Sequence, residues 1–200
     1  MQLINDPIPH LDFSLDDSFY EYCKTNWVPT SNTNHELRYN TPITNRHIID
    51  TLDKVVDQVI DVFMPILQNE YPKWNQKIIG RRYQFGGNLM SPQPYKMRDW
   101  HLDNGNKVII GLWYFKHPDD SNDAGLHISN GVDEAYIPYS ENRVVFIPNL
   151  TNSWHKVGDR KVWTHERRFI NMVIETDTYV HDYLRDGLVD TVKPVKNLMI

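Results

Sequence analysis

Trp100-His101-Leu102-Asp103-Asn104-Gly105-Asn106-Lys107-Val108-Ile109-Ile110-Gly111-Leu112-Trp113-Tyr114-Phe115 is the stretch on which the fold turns. Asn104-Gly105 is a strong short hairpin signal. The apolar run behind it reads as a strand, and the residues before it as its partner. On a strand, residues i and i+2 point to the same face. His101 and Asp103 therefore offer an imidazole nitrogen and a carboxylate oxygen on one side of the chain.

Working outward, short runs of β-formers broken by turn residues predict strands near 77–85, 95–103, 107–116, 125–128, 135–138, 143–148, 154–157 and 167–175. The breaks are Gly86-Gly87, Asn104-Gly105, the acidic loop 117–124, Asn130-Gly131 and Ser140-Glu141-Asn142. Eight short strands so spaced predict a mainly β fold, a sandwich or jelly roll. The first third reads as helical. Ser14 is a candidate cap for a helix carrying Leu15, Phe19 and Cys23 on one face. Thr44 or Asn45 caps a stronger helix, in which Ile48, Leu52, Val56, Val59 and Phe63 follow the helical period. Pro65 weakens its continuation, with one further turn to about Asn69 allowed. These helices need a flat apolar partner and are expected to pack on one sheet. The chain reads as one domain over 1–200, with helical support at 1–76, a β core at 77–176 and a tail at 177–200 that opens on a short helix near 178–186.

Composition sets bounds on function. A net charge of −5 and a pI near 6.0 argue against a broad footprint for nucleic acid or anionic membrane. One cysteine, Cys23, cannot form an internal disulfide, which favours a reducing compartment. The N-terminus lacks the basic start and apolar core of a signal peptide, and no apolar run approaches membrane-span length. A cytoplasmic location is the expectation. Asn149-Leu150-Thr151 is formally a glycosylation sequon and is read as chance.

His155 follows Trp154 after the apolar run Val144-Val145-Phe146-Ile147-Pro148. Brought beside His101 and Asp103 by a neighbouring strand, it completes a 2-His-1-carboxylate set on one side of an ion. That set leaves coordination positions open and marks non-haem Fe(II) oxygenases. By itself His-x-Asp is a weak signal, since the chain has nine histidines and many aspartates.

Five segments in order carry a stronger one: His101-Leu102-Asp103; Leu112-Trp113-Tyr114-Phe115; Ala124-Gly125-Leu126; Asn142 to Pro148 leading to His155; and Arg167-Arg168-Phe169-Ile170-Asn171. From about Tyr83 to Glu175 the chain resembles the 2-oxoglutarate- and Fe(II)-dependent dioxygenases, especially their prolyl-4-hydroxylase-like branch. It departs from the usual pattern at Ala124, where a glycine is common, and at Phe169, where a small or hydroxylated residue is common. The resemblance implies a double-stranded β-helix (a cupin-like jelly roll) with Fe(II) on His101, Asp103 and His155, which are then both the metal ligands and the catalytic centre. It implies 2-oxoglutarate as cosubstrate and O2 as oxidant. It also implies hydroxylation of a prolyl or other peptidyl residue or of a small metabolite, with the substrate open. Halogenation is disfavoured, because halogenases of the family lack the carboxylate that Asp103 supplies.

In this family the far carboxylate of 2-oxoglutarate is held by a basic residue on the last core strand, and a buried carboxylate needs a paired cation. Arg167, Phe169, Asn171 and Val173 share one face of that strand, while Arg168, Ile170, Met172 and Ile174 share the other. The polar face with Asn171 suits a cosubstrate pocket and the aliphatic face suits the helices, which favours Arg167. A one-residue slip would exchange it for Arg168. Tyr114 matches the family tyrosine that donates to the same carboxylate; its structural reading is a core tyrosine.

The other histidines carry less. His117 reads as loop surface, His127 as structural, and His165 as a neighbour of the arginine or solvent-exposed. His10, His35, His47 and His181 have no partner pattern. Arg81-Arg82 with Lys96 and Arg98 is read as a solvated face rather than an anion grip. Two rivals to the oxygenase reading are a mononuclear zinc hydrolase on the same three residues and a non-catalytic metal-binding β-sandwich. The hydrolase would not need Arg167 or Tyr114.

Overall fold

A 25-residue helix begins where Asn45 turns its side-chain oxygen back to the Ile48 N–H, 3.3 Å away. The computed structural model describes residues 1–28, 38–88, 99–120, 122–158 and 165–181. In chain order the elements are β1 (Leu3–Ile4), β2 (His10–Ser14), α1 (Asp17–Thr25), β3 (Arg38–Pro42), α2 (Arg46–Glu70), β4 (Ile78–Asn88), β5 (Lys107–Tyr114), β6 (Leu126–Ser129), β7 (Glu134–Ile137), β8 (Arg143–Pro148), β9 (Trp154–Val157) and β10 (Arg167–Thr176). α2 buries one stripe, including Ile48, Leu52, Val56, Val59 and Phe63. Pro65 sits inside the helix on its exposed side. Asp61, the residue whose carbonyl it deprives of a partner, is also exposed, and the helix continues to Glu70.

The strands form a seven-stranded antiparallel sheet, β1-β2-β8-β5-β10-β4-β3, and a three-stranded sheet, β7-β6-β9. On the large sheet, alternation decides which side each residue serves. Ile170, Met172 and Ile174 of β10 join Trp113 of β5 and Val144 and Phe146 of β8 in one core with the α2 stripe. The intervening residues face the small sheet: Val145 and Ile147 pack with Leu126, Ile128 and Ile137. Gly111 sits opposite Phe146 in the β5–β8 register, and a Cβ there would lie 2.3 Å from the Phe146 ring. Phe146 is fully buried and its ring cannot swing clear. Gly111→Ala should cost about 1–3 kcal/mol by overpacking, read as a lowered urea midpoint with unchanged slope.

The predicted strands appear near their expected places with one exception, and Gly86-Gly87, expected as a break, lies inside β4, which runs on to Asn88. Residues 99–103 form no strand; His101 makes only an isolated antiparallel bridge to His155, and the 95–98 part of that prediction lies outside the described residues. Three strands in the first third, β1, β2 and β3, correct the expectation that this region is helical. β2 forms against β8, where Asp12 pairs with Arg143, and β3 is an edge ending at Pro42. The α1 cap is Asp16, which accepts from the Phe19 N–H, rather than Ser14, which closes β2. Residues 178–181 are not helical, and the rest of the predicted C-terminal helix, 182–186, lies outside the described residues.

Candidate metal centre and cosubstrate pocket

His101 and His155 exchange both backbone hydrogen bonds, each 3.1 Å, which places the two side chains opposite one another. Their ring centroids are 4.2 Å apart. Trp100 and Leu102 alternate with His101 and Asp103 and pack with Trp154 in a small apolar cluster, so the motif has an anchored back and a polar front. Each histidine turns Nδ1 to a main-chain carbonyl: His101 to that of Asp99 at 2.7 Å, His155 to that of Ser153 at 3.3 Å. A carbonyl partner keeps the proton on Nδ1 and leaves the Nε2 lone pair for a ligand. His155 Nε2 stands 3.3 Å from Asp103 Oδ2. Two ligands about 2.1 Å from one ion stand roughly 3.0–3.4 Å apart. One donor atom from each of His101, Asp103 and His155 lies within 4.8 Å of the others, so the three could hold a single ion.

The carboxylate is held from two sides. Asp103 is 5% exposed; burial opposes its ionisation, but hydrogen bonding and charge from His155 and Lys107 outweigh that and hold its pKa well below the usual carboxylate range. The Lys107 ammonium donates to Oδ1 at 2.6 Å and leaves Oδ2 facing the histidines. Asn149 clamps the loop itself. Its Nδ2 lies 2.8–3.2 Å from the carbonyls of Asp103, Asn104 and Lys107, and the side chain is buried. The formal sequon at 149–151 is thus a structural asparagine. Asn149→Ala strands those carbonyls at about 1–3 kcal/mol. We expect a lower urea midpoint together with about tenfold weaker metal binding in a chelator competition. An effect on stability alone would separate the clamp from the ion.

A second group of candidate residues is on and around β10. Arg167 is 1% exposed and faces the small sheet. Its Nε donates to the Ala124 carbonyl at 2.8 Å and Nη1 to Asn88 Oδ1 at 3.2 Å. The guanidinium carbon lies 4.6 Å from the Phe169 ring centre, 5.3 Å from that of Tyr114 and 5.5 Å from that of Tyr139. Arg168 points to the helix side, pairs with Glu166 and lies over Trp27. Asn171 shares the Arg167 face and reaches toward Gln84 at 3.5 Å. The Tyr114 hydroxyl is buried with no hydrogen bond of ordinary geometry, and its polar neighbour is the Arg167 guanidinium, which acts on it by charge and by a weak hydrogen bond. Burial, only partly offset by that charge, raises its pKa and keeps it a protonated donor. A guanidinium beside an unsatisfied phenol is a donor set that fits a carboxylate.

Both departures from the family pattern have room. Phe169 lies opposite Gly86, where a Cβ would meet its ring at 2.5 Å, so the glycine makes space for the larger residue. Ala124 is fully buried with Tyr114, Tyr139 and Phe169. At Gly125 a Cβ would approach the Ile137 carbonyl to 2.0 Å, which explains the glycine that remains.

Lys107, Asn149, Asn88 and Tyr139 were not anticipated from the sequence. Only the position of Asn149 after the β8 run hinted at a role. His127 is on the outer face of the small sheet, paired with Glu134. His10 turns to the Ile8 carbonyl, His47 packs against Phe19 and Tyr22, and His181 is buried near Tyr71; His35 is outside the described residues. Arg81 pairs with Asp53 and Asp57, and Arg82 with Glu175, while Lys96 and Arg98 are outside the described residues. No helix among the described residues is long and apolar enough to cross a membrane.

No family model matches the sequence, and no curated protein does. Solved structures do match. A Pseudomonas putida prolyl-4-hydroxylase superimposes with a TM-score of 0.58 at 14% identity, covering 84% of this chain and 93% of that one. A viral collagen prolyl hydroxylase from Paramecium Bursaria Chlorella virus-1, in its 2OG complex, gives 0.57 at 11% identity, covering 84% and 96%. HygX from Streptomyces hygroscopicus, with nickel and 2-oxoglutarate bound, gives 0.57 at 9% identity, covering 84% and 83%. At these identities the likeness is one of fold, which this chain shares with a prolyl-4-hydroxylase, a viral collagen prolyl hydroxylase and HygX.

Proposed function

We propose that this chain is a non-haem Fe(II), 2-oxoglutarate-dependent oxygenase of the prolyl-4-hydroxylase-like branch, its two sheets forming the double-stranded β-helix of that family. The reading is supported by two observations: His101, Asp103 and His155 bring three donor atoms within 4.8 Å of one another, and Arg167 is buried with its guanidinium beside the Tyr114 ring. His101, Asp103 and His155 would hold the iron through Nε2, a carboxylate oxygen and Nε2. Lys107 keeps the second Asp103 oxygen engaged, so the carboxylate takes one position and leaves the others open. Arg167 and Tyr114 would grip the far carboxylate of 2-oxoglutarate.

The bound iron with 2-oxoglutarate supplies the oxidising chemistry. The balance is one C–H bond, one 2-oxoglutarate and one O2 converted to one C–OH, one succinate and one CO2. The chain supplies position, charge and exclusion of water. Prolyl residues in peptides are the first substrates to try, since the structurally similar proteins include prolyl hydroxylases; free amino acids and small metabolites follow. A cytoplasmic, soluble enzyme with no nucleic-acid partner is the accompanying proposal. A zinc hydrolase or a passive metal-binding module gives no role to the Arg167–Tyr114 pair and is not favoured.

The test is to incubate anaerobically purified protein with Fe(II) and 2-oxoglutarate, admit air, and measure succinate against a panel of proline peptides, amino acids and metabolites. Succinate rising with one substrate class, together with hydroxylated product, supports the proposal. Folded, metal-loaded protein that turns over no 2-oxoglutarate with any of them refutes it.

A further inference from the structure

We propose that His117, Asp119 and His165 form a second, surface metal site that takes a divalent transition ion such as zinc. The three residues come from segments nearly fifty positions apart in sequence and are held together by the sheet. His117 and Asp119 are on the turn that follows β5, and His165 stands two residues ahead of Arg167 at the start of β10. The β5–β10 ladder runs on past the strand end, where the Phe115 N–H donates to the Arg168 carbonyl at 3.0 Å. The Asp120 N–H donates to the His117 carbonyl, also at 3.0 Å, and closes the turn.

The side chains converge at this fixed end. The His117 and His165 rings stack with centroids 3.6 Å apart and planes 20° from parallel, so one ring must turn about its Cβ–Cγ bond for both in-plane lone pairs to meet a single ion. His117 Nδ1 is 3.8 Å from Asp119 Oδ2, and one donor atom from each of the three residues lies within 4.8 Å of the others. Ligands of a tetrahedral ion stand about 3.3–3.4 Å apart, so the His117–Asp119 pair must close by about half an ångström and no pair by more than about 1.5 Å. The long Asp119 N–H contact to His117 Nδ1, 3.3 Å, is the one the ion would replace. With 46% of the His117 and 83% of the Asp119 side chain exposed, water can both reach the ion and take its fourth position.

The setting fixes the class of ion and the strength of binding. Two imidazoles and one carboxylate suit zinc, nickel or cobalt rather than calcium or magnesium, which prefer all-oxygen shells. The cluster edges a cleft of about 540 Å³ that also includes Lys24, Lys116, Glu166 and Arg168. Arg168 is paired with Glu166, and Lys24 with Glu21 and Glu141. Lys116 donates to the carbonyls of His117 and Pro118, so its charge stays near the ion. One carboxylate against that ammonium points to micromolar rather than nanomolar binding. The cluster lies beyond the strand end on the helix side, away from the pocket of Arg167. An ion there would staple the turn after β5 to the start of β10.

The experiment counts zinc equivalents retained by tag-free protein in dialysis against about 10 µM zinc, a level that separates micromolar from weaker sites. Wild type should bind two, His117→Ala/His165→Ala one, and His101→Ala/His155→Ala one, with folding of each checked by circular dichroism. Asp119→Asn should weaken the second equivalent about tenfold, and Lys116→Met should tighten it. Wild type binding a single equivalent that His101→Ala/His155→Ala abolishes, or a second equivalent indifferent to His117, Asp119 and His165, overturns the surface site and leaves the proposed oxygenase centre standing. Loss of only the buried equivalent's expected behaviour would do the reverse.

Discussion

Arg167→Ala is expected to raise the 2-oxoglutarate concentration for half-maximal turnover by several hundredfold or more, with metal affinity little changed. The reasoning is electrostatic. The guanidinium is buried among the rings of Tyr114, Tyr139 and Phe169, where a carboxylate bound without its cation would be stranded. Breaking a buried ion pair by removing one partner costs about 3–5 kcal/mol, and each 1.4 kcal/mol is tenfold in affinity. Arg167→Lys keeps the charge but loses the planar fork, so it should recover part of the loss. Arg168→Ala is the control, because its side chain points to the helix side and pairs with Glu166. The measurement is succinate release against 2-oxoglutarate concentration, with thermal unfolding of each variant to confirm the fold. A large effect at Arg168 with none at Arg167 would reverse the assignment of the cosubstrate arginine while leaving the metal centre intact.

What the sequence could reveal here follows the range of the interactions. Alternation along Arg167 to Ile174 is local, and it separated the aliphatic helix face from the polar one before any partner strand was known. The stripe of α2 was legible for the same reason, down to the Asn45 cap. β2 and β3 were not, because their residues have no strong strand pattern and become strands only by pairing with β8 and β4. The same limit hid Lys107 and Asn149 from the site. Lys107 is four residues from Asp103, but its contact needs the turn between them, and Asn149 reaches the loop from another strand end. The likeness of His101-Leu102-Asp103 to a strand motif led to the right neighbours through a wrong element, since the pair sits on a single bridge and the loop after it. His117 and His165 look isolated in sequence and meet only because β5 and β10 are adjacent.

Asp103→Ala is expected to remove coupled turnover altogether and to weaken Fe(II) binding. Asp103 is the one negatively charged side chain among the three candidate ligands, and it is positioned by both Lys107 and His155. Its loss leaves the dication facing two neutral imidazoles with the Lys107 ammonium close by and no carboxylate between them. The repulsion that Asp103 screens would then act directly. For the wild type under argon, Fe(II) with 2-oxoglutarate should give the weak visible metal-to-ligand charge-transfer band that the family resemblance implies, and Asp103→Ala should lose it. Zinc gives no such band, being d¹⁰ and redox-silent, so the spectrum also separates the oxygenase from a hydrolase on the same residues. Arg167→Ala should regain the band at high 2-oxoglutarate, since chelation at the ion does not need the far carboxylate, whereas Asp103→Ala should not. An Asp103→Ala protein that keeps both band and turnover would show that the iron is held elsewhere, and the centre assigned to His101, Asp103 and His155 would have to be given up.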